Sequence, residues 1–390
     1  MIGKIIRELI PNEKNRRNSE GAFITLSDGR ILFAYSRYMG GGHDHDPADV
    51  YGIISEDEGE SFGEPFLILS ASSVDAHNLM SISFMRMNNG DIALFYLRKD
   101  NVVTTDGSLY LTGKASNGNI TKEQYSKVTC IPYMIRSKDE GKTWSEPMRC
   151  INIDGYFVVN NDRILRLDNG RLLMPVAKMN FEAHYGTHGS IYIFASDDDG
   201  YTWNAIAEDI NLPLTLWHDY PTFNSSAMEP GLVQLKDGTV WCFIRTRLDR
   251  QYEMLSKDNG ETWTQPMPSR FTSSSSPMSA KRLSDNRILA VWNPIARFTD
   301  REYKGQYTKN KWARTPFAYA LLSEDAGKFL VAEDLEDERD RGFCYAAIHE
   351  TRSGDILLGY CAGHAIEDGG WLNRIRIRKI YKSELLKKLD

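Results

Sequence analysis

The residues of this chain best suited to chemistry are charged side chains set into otherwise apolar segments. Arg245 ends the apolar run of residues 241–244, and Glu229 lies sixteen positions before it. A buried guanidinium needs a carboxylate partner or an anionic ligand, because an unpaired buried charge is costly. Glu229 and Arg245 are therefore candidates for binding an acidic group, with a structural ion pair as the alternative.

A second group of candidates lies in the loop of residues 42–49, which holds three aspartates and two histidines. A carboxylate in such a loop suits general acid/base catalysis. Asp46 is the first choice, Asp44 and Asp49 are the next, and a solvated acidic turn is the alternative. His43 and His45 also suggest a metal, but their spacing lacks a third anchored ligand. No metal and no cofactor is predicted.

Composition and missing motifs exclude several function classes. The sequence contains neither a Gly-x-Ser-x-Gly elbow nor a glycine-rich phosphate loop. With 47 Lys+Arg against 53 Asp+Glu, it has no basic excess for nucleic acid. It lacks the roughly 18 apolar residues of a membrane span and an N-terminal signal pattern. A cytoplasmic protein is expected, or a secreted one if a leader was removed, with its five scattered cysteines as reduced core thiols.

The elements that must position these residues come from a repeat that occurs six times. Each copy contains two short apolar runs separated by a polar turn, which predicts a β-hairpin with glycine or asparagine at a left-handed position. We name the copies repeat units one to six by their turn residues, which are Gly29, Gly90, Gly170, Gly238, Asn286 and Gly354.

A second motif, Ser-x-Asp-x-Gly-x-Thr/Ser-Trp/Phe, follows the hairpin in five units. It begins at Ser55, Ser137, Ser196 and Ser256, with a decayed copy at Ser323. Its aspartate is suited to accept N–H groups across a folded turn, and its glycine to take the left-handed position. We predict that these aspartates lie on the outer rim and contribute stability, not binding.

Six repeat units of about four strands predict an all-β fold, a six-bladed β-propeller of four-stranded antiparallel blades. We expect a single domain over residues 1–390, ending in a short helix at about 383–389. Unit six lacks the second motif. A strand from residues 4–10 is expected to pair with residues 372–380 and close the ring, because an open ring would leave two unprotected edges.

Residues at the start of each innermost strand would face the central channel. They are Glu20, His77 with Asn78, residues 161–163, Glu229, residues 279–281 and Tyr345. His77 suits sugar binding or proton transfer, or a bond to a neighbouring loop. Asp162 and Arg163 suit a polar clamp or an internal salt bridge. His184, His188, Trp217 and His218 suit a sugar-binding wall.

The five Ser-x-Asp-x-Gly motifs are similar to Asp-boxes, and residues 4–380 resemble the sialidase (neuraminidase) superfamily. The resemblance implies an arginine cluster for a substrate carboxylate, a tyrosine nucleophile paired with a glutamate, and an aspartate acid/base. By their place in the motifs, Arg245 and Arg314 match the second and third arginines. Tyr345 matches the nucleophile and Glu229 its partner, and Asp46 is expected as the acid/base.

The sequence departs from this superfamily near its N-terminal end. The family's Arg-Ile-Pro motif is replaced by Arg17-Asn18-Ser19-Glu20, in which Arg17 is the candidate to serve as the first arginine. Glu20 would add negative charge where an anionic substrate needs positive charge. We therefore expect weak cleavage of sialosides and better activity on another terminal glycoside.

The sequence thus favours an exo-acting glycoside hydrolase that cleaves a terminal, acidic sugar from an oligosaccharide or glycoconjugate. A polysaccharide lyase acting on a uronate is one alternative, with Tyr345 or His77 abstracting the proton. A non-catalytic sugar-binding propeller is the other. The sugar, the linkage, the stereochemical outcome and the oligomeric state stay open.

Overall fold

The computed structural model describes residues 1–100, 129–180, 188–212, 226–295, 301–303, 306–308 and 314–389. Nearly all its regular structure is strand. A short helix, α1 (Lys382–Lys387), follows the last strand. Across the described ranges, no helix is long and apolar enough to span a membrane.

The strands follow the repeat units in order. One strand precedes them, β1 (Lys4–Leu9). Unit one holds β2 (Arg17–Thr25), β3 (Ile31–Tyr38), β4 (Ala48–Ser55) and β5 (Phe66–Leu69), followed by a 3₁₀ turn at Ala71–Val74. Unit two holds β6 (Asn78–Arg86), β7 (Ile92–Asp100), β8 (Thr129–Ser137) and β9 (Met148–Arg149). Unit three holds β10 (Phe157–Val158), β11 (Leu165–Arg166), β12 (Leu172–Asn180), β13 (His188–Ser196) and β14 (Asn204–Ile210).

The second half of the chain continues the pattern. Unit four holds β15 (Met228–Gln234), β16 (Val240–Arg245), β17 (Arg250–Ser256) and β18 (Met267–Thr272). Unit five holds β19 (Ser279–Arg282), β20 (Ile288–Trp292), a small hairpin of β21 (Arg301–Tyr303) and β22 (Gln306–Thr308), β23 (Phe317–Leu322) and β24 (Phe329–Glu336). Unit six holds β25 (Arg341–Glu350), β26 (Ile356–His364) and β27 (Ile375–Ile380).

These strands form an all-β propeller, as predicted. Units three to six each make a separate sheet of four or five antiparallel strands. Units one and two share one eight-stranded sheet instead of forming two separate ones. They are joined by a single parallel pair, Ala48 with Asn78, and the Asn78 amide donates to the Asp46 carbonyl over 2.7 Å. The prediction of six separate blades is therefore confirmed only in part: units three to six form separate sheets, and units one and two do not.

The predicted closing strand is confirmed. β1 pairs antiparallel with β27, from Lys4 opposite Lys379 to Leu9 opposite Ile375. The last sheet thus contains three strands from the end of the chain and one from its start. This pairing covers an edge that would otherwise be free.

The second motif forms the predicted folded turn. In the first copy, the Ser55 hydroxyl donates to Asp57 over 2.8 Å, and the Gly59 N–H donates to Ser55 Oγ over 2.7 Å. The Ser61 N–H closes the turn onto Asp57 over 2.9 Å. The same bonds recur around Asp139, Asp198 and Asp258.

These turns also dock each unit onto its neighbour. Glu140 accepts the Ser27 N–H of unit one over 2.8 Å, and Glu58 accepts the Ser353 N–H of unit six over 3.2 Å. Asp199 likewise accepts the Asn88 N–H of unit two over 3.1 Å. Apolar clusters fill the space between the sheets, as where Trp203 packs edge-on against Phe95. The motifs therefore hold the units together and leave the inner strands free to carry the site.

Candidate functional site

Five side chains at or beside the inner strands share one backbone feature, a left-handed conformation. Each belongs to a non-glycine residue with φ between 42° and 59°. In four of the five, the antiparallel register breaks at that residue, as in a β-bulge that re-aims a side chain. The five are Glu20, Ser81, Asp162, Glu229 and Tyr345.

Ser81 was not predicted from the sequence. His77 and Asn78 were expected at the inner position of unit two, but Ser81 occupies it and donates to Glu20 Oε2 over 2.5 Å. A signal was present, because Ser81 lies nine residues before Gly90, the same offset that separates Glu20 from Gly29 and Tyr345 from Gly354. Aligning the units on their turn glycines would have identified it.

Tyr345, Glu229 and Arg245 meet as predicted from the motifs. The Tyr345 hydroxyl donates to Glu229 Oε1 over 3.2 Å, and Arg245 Nη1 donates to the Tyr345 oxygen over 3.4 Å and to Glu229 Oε2. Arg245 Nη2 also donates to the Ser275 carbonyl over 2.8 Å. A phenol between a carboxylate and a guanidinium has both an acceptor for its proton and a cation for its oxyanion.

The electrostatics of Tyr345 favour the neutral phenol in the free chain. Burial and the charge of Glu229 raise the pKa of Tyr345 well above its usual range, against the opposing effect of Arg245 and Arg314. Glu229 is therefore placed to accept the phenolic proton only when a reacting centre draws on the oxygen.

Arg314 provides an unsatisfied donor beside the Tyr345 ring. Its guanidinium carbon lies 5.2 Å from the centre of the Tyr345 ring. Its Nη1 is buried and has no hydrogen-bond partner among the residues that the structure describes. Arg314 also lines a pocket of about 500 Å³, whose other walls come from Arg16, residues 40–43 and residues 368–373, including Trp371. The pocket therefore places two arginines beside one cavity.

Arg17 is already paired with two carboxylates. It donates to Glu20 Oε1 over 3.1 Å and to Asp44 Oδ1 over 2.5 Å, with its guanidinium 4.6 Å from the Tyr38 ring centre. Desolvation raises the pKa of Glu20. Desolvation opposes ionisation of Asp44 too, but the charges of Arg17 and Lys99 hold its pKa well below its usual range.

The three aspartates of residues 42–49 have different surroundings. Asp44 beside Arg17 keeps 56% of its side chain exposed. Asp46, the predicted acid/base, is 9% exposed and accepts the His43 N–H of its own loop over 2.7 Å. Asp49 accepts the Ala71 N–H over 2.7 Å at the start of the 3₁₀ turn. Asp44 is therefore the accessible carboxylate of the three.

His77 contacts the loop of residues 42–49. Its Nε2 is 3.0 Å from the His45 carbonyl oxygen, which matches the alternative of a bond to a neighbouring loop. The His45 ring is buried against Tyr156, and burial lowers the pKa of His45 to about 3. Across the described ranges, no group of three or more His, Cys, Asp or Glu residues is arranged to hold a metal ion.

Asp162 and Arg163 are also held by protein groups. Asp162 accepts two 2.9 Å bonds from Lys281, a salt bridge to unit five. Arg163 is buried, donates to the Met278 carbonyl over 2.6 Å and lies 5.2 Å from the Phe243 ring centre. Desolvation lowers the pKa of Arg163 to about 10. His184, Trp217 and His218 lie outside the described residues, as does the side chain of His188.

Comparison with known proteins identifies the repeat. The sequence profile described as BNR repeat-like domain matches residues 38–358. A crystal structure of a protein of unknown function from Dyadobacter fermentans superposes with a TM-score of 0.70 at 19% identity, covering 97% of this chain and 99% of that one.

Two sialidase structures share the fold. The NanB sialidase of Streptococcus pneumoniae has a TM-score of 0.69 at 15% identity, over 98% of this chain and 71% of that chain. The intramolecular trans-sialidase of Ruminococcus gnavus has a TM-score of 0.67 at 16% identity, over 96% of both chains. At these identities the comparison establishes the fold.

Proposed function

We propose that this chain, which belongs to the family of BNR repeat-like domains, is an exo-acting glycoside hydrolase for a terminal, acidic sugar. One observation carries the proposal: the Tyr345 hydroxyl lies between Glu229 and Arg245, under the Arg314 guanidinium. A structural tyrosine needs no such surroundings. A sugar-binding protein has no use for a phenol placed against a proton acceptor.

In this mechanism the substrate carboxylate binds Arg314 and Arg245. Arg314 offers its unpartnered Nη1, and a guanidinium fork matches the planar carboxylate. Glu229 takes the phenolic proton as the Tyr345 oxygen attacks the anomeric carbon. The glycosidic bond to the leaving oxygen breaks, and water later releases the sugar from Tyr345.

We infer that the acid/base is Asp44, not Asp46 as the sequence suggested. Asp44 is the exposed carboxylate, and its pKa is low because Arg17 binds it. A bound substrate that shields the exposed Asp44 carboxylate from water would raise the pKa of Asp44, so that it could protonate the leaving oxygen. Asp46 would then hold the loop in place through the His43 N–H.

The pairing of Arg17 with Glu20 and Asp44 supports a substrate other than a standard sialoside. With Arg17 neutralised, we propose that two arginines hold the substrate carboxylate and that sialosides are cleaved weakly. We also propose that the eight-stranded sheet counts as two blades, which gives a six-bladed ring. The single-pair junction at Ala48 and Asn78 supports this division.

The test measures fluorophore release from a panel of fluorogenic terminal glycosides, namely sialosides, uronides and neutral sugars. Oligosaccharides with internal, 4-linked uronates are followed in parallel by ultraviolet absorbance, because β-elimination needs a leaving group on the uronate. A saturated sugar released from an acidic glycoside supports the proposal. An unsaturated, absorbing product would show a lyase instead. Saccharide binding without turnover on any member would support the sugar-binding alternative.

A further inference from the structure

Two residues of unit three, Asn161 and Asp162, connect the inner strands of several units. The Asn161 side chain is 1% exposed. Its Nδ2 donates to the Gly21 carbonyl over 2.8 Å and to the Tyr345 carbonyl over 3.1 Å. One amide therefore bonds to the backbone of unit one and of unit six.

Both carbonyls lie where strand register is broken. Gly21 falls in the break between Ser19 and Ala22, and Tyr345 in the break between Cys344 and Ala347. Regular ladder bonds are interrupted at such positions, so their backbone groups need other partners. Asn161 supplies a donor to each.

Asp162 bonds to three further units through its carboxylate and its backbone N–H. The Ile348 N–H donates to Asp162 Oδ2 over 3.0 Å, three residues beyond Tyr345, and Lys281 of unit five donates to both oxygens over 2.9 Å. The Asp162 N–H donates to the Ile82 carbonyl over 2.9 Å, next to Ser81. Tyr345, inside the bulge, and Ile348, just beyond it, are thus both bonded to unit three.

A left-handed φ is unfavourable for a bulky residue, so it persists only where the surroundings fix it. Tyr345 has φ 56°, and this backbone directs its hydroxyl to Glu229. We infer that Asn161 is a positioning residue, which holds the Tyr345 backbone so that the phenol stays against Glu229 and Arg245. The expected effect of Asn161 on kcat rests on the proposed function. The expected effect of Asn161 on the position of Tyr345 does not.

The test compares Asn161→Ala with Asn160→Ala. Asn160 is adjacent and 2% exposed, and its buried Nδ2 has no hydrogen-bond partner in the described part of the chain. We expect Asn161→Ala to lower kcat by about tenfold or more with KM within about twofold, since an interaction that acts on the reacting geometry affects the transition state. Asn160→Ala should leave kcat and KM close to those of the parent.

A crystal structure of the Asn161 variant gives a readout that needs no activity. We expect the separation of Tyr345 Oη from Glu229 Oε1 to exceed the parent 3.2 Å. An unmoved Tyr345 with unchanged kcat would overturn the inference. If the parent hydrolyses no glycoside but Tyr345 still moves, the positioning role stands and the proposed function fails.

Asn161→Asp provides a second variant if the alanine variant does not fold. It keeps the shape of the side chain but removes both donors. The same displacement of Tyr345 is expected, because a carboxylate would repel the two carbonyls. A Tyr345 position identical to that of the parent in this variant would also overturn the inference.

Discussion

Two regions of the molecule bury arginines beside carboxylates, and they do so differently. The first, which we call the inner cluster, contains Arg17, Arg245 and Arg314 together with Glu20, Asp44, Glu229 and Tyr345. The second, which we call the closure seam, contains Arg374 just before β27 and Arg376 and Arg378 on β27. Their partners are Glu8, Glu336, Glu338 and Asp368.

The arginines of the seam are saturated by carboxylates and backbone oxygens. Arg376 donates from Nε to Glu8 over 3.0 Å and from Nη1 to Glu338 over 2.7 Å, and lies 2.9 Å from Glu336. Arg378 donates to Glu336, to the Tyr360 hydroxyl and to backbone carbonyls. These bonds connect β27, which pairs with β1 and β26, to Glu8 of β1 and to the end of unit five.

The inner cluster differs in two ways: its arginines have unsatisfied hydrogen-bond donors, and several of its residues have a strained backbone. Buried nitrogens without a hydrogen-bond partner among the described residues occur on Arg17, Arg245 and Arg314, but not on the three seam arginines. Glu20, Glu229 and Tyr345 are left-handed, whereas β27, which is described throughout, has no left-handed residue. The two regions use the same residue types and differ in the unmet donors of their arginines and in the strain of the surrounding backbone.

The largest expected effect falls on the seam. Arg376→Met should lower the free energy of unfolding by about 3–5 kcal/mol, because removing one partner of a buried ion pair leaves the other unpaired. Arg314→Met should cost clearly less, since no bonded carboxylate is left behind. Denaturant unfolding of both variants measures this, and equal losses would remove the distinction between the two regions.

A pair of tyrosines tests the comparison by activity. Tyr345→Phe should lower kcat by about a hundredfold or more with little change in melting temperature, because it removes the nucleophilic oxygen. Tyr360→Phe removes a hydroxyl that donates to Glu336 in the seam. It should keep kcat and lose about 1–3 kcal/mol of stability, the usual cost of an unsatisfied buried group. Near-normal turnover in Tyr345→Phe would eliminate the covalent mechanism.

Arg314→Lys sharpens the assignment of the carboxylate site. Lysine keeps the charge but loses the planar fork, so KM for an acidic glycoside should rise by about tenfold. Inhibition by free uronate or sialate should weaken in parallel, while a neutral glycoside should be unaffected. The seam variant Arg376→Lys is the control. Unchanged inhibition in Arg314→Lys would mean that Arg314 binds no carboxylate.

The smallest expected effect lies in the Asp-box turns, outside both regions. Bonds from Thr262 hold the pKa of Asp258 at about 2, below its usual value of about 4. Its contribution to stability is therefore present above about pH 4 and is lost as pH falls towards 2. Asp258→Asn should show a flatter melting temperature profile between those values, with KM unchanged. A tenfold binding defect in the folded variant would contradict the structural role.

The sequence by itself determined the elements built from nearby residues. Hairpin turns and Asp-box turns depend on residues within about ten positions, and both were predicted correctly. The closing strand joins the two ends of the chain and was predicted instead from the need to cover the free edges of the ring. Glu229, Arg245 and Tyr345 were predicted together from their places in the motifs, and the structure brings them into contact. The five free, buried cysteines agree with the expected core thiols.

Only the tertiary structure decided which side chains meet across different units. Asp162 pairs with Lys281, 119 positions away, and Ser81 bonds Glu20 of the preceding unit. Asp44 became the exposed carboxylate because the 42–49 loop folds its Asp46 side chain back onto its own backbone. Such contacts depend on how inner strands converge and how one loop closes, and short-range sequence patterns do not encode distances between separate strands.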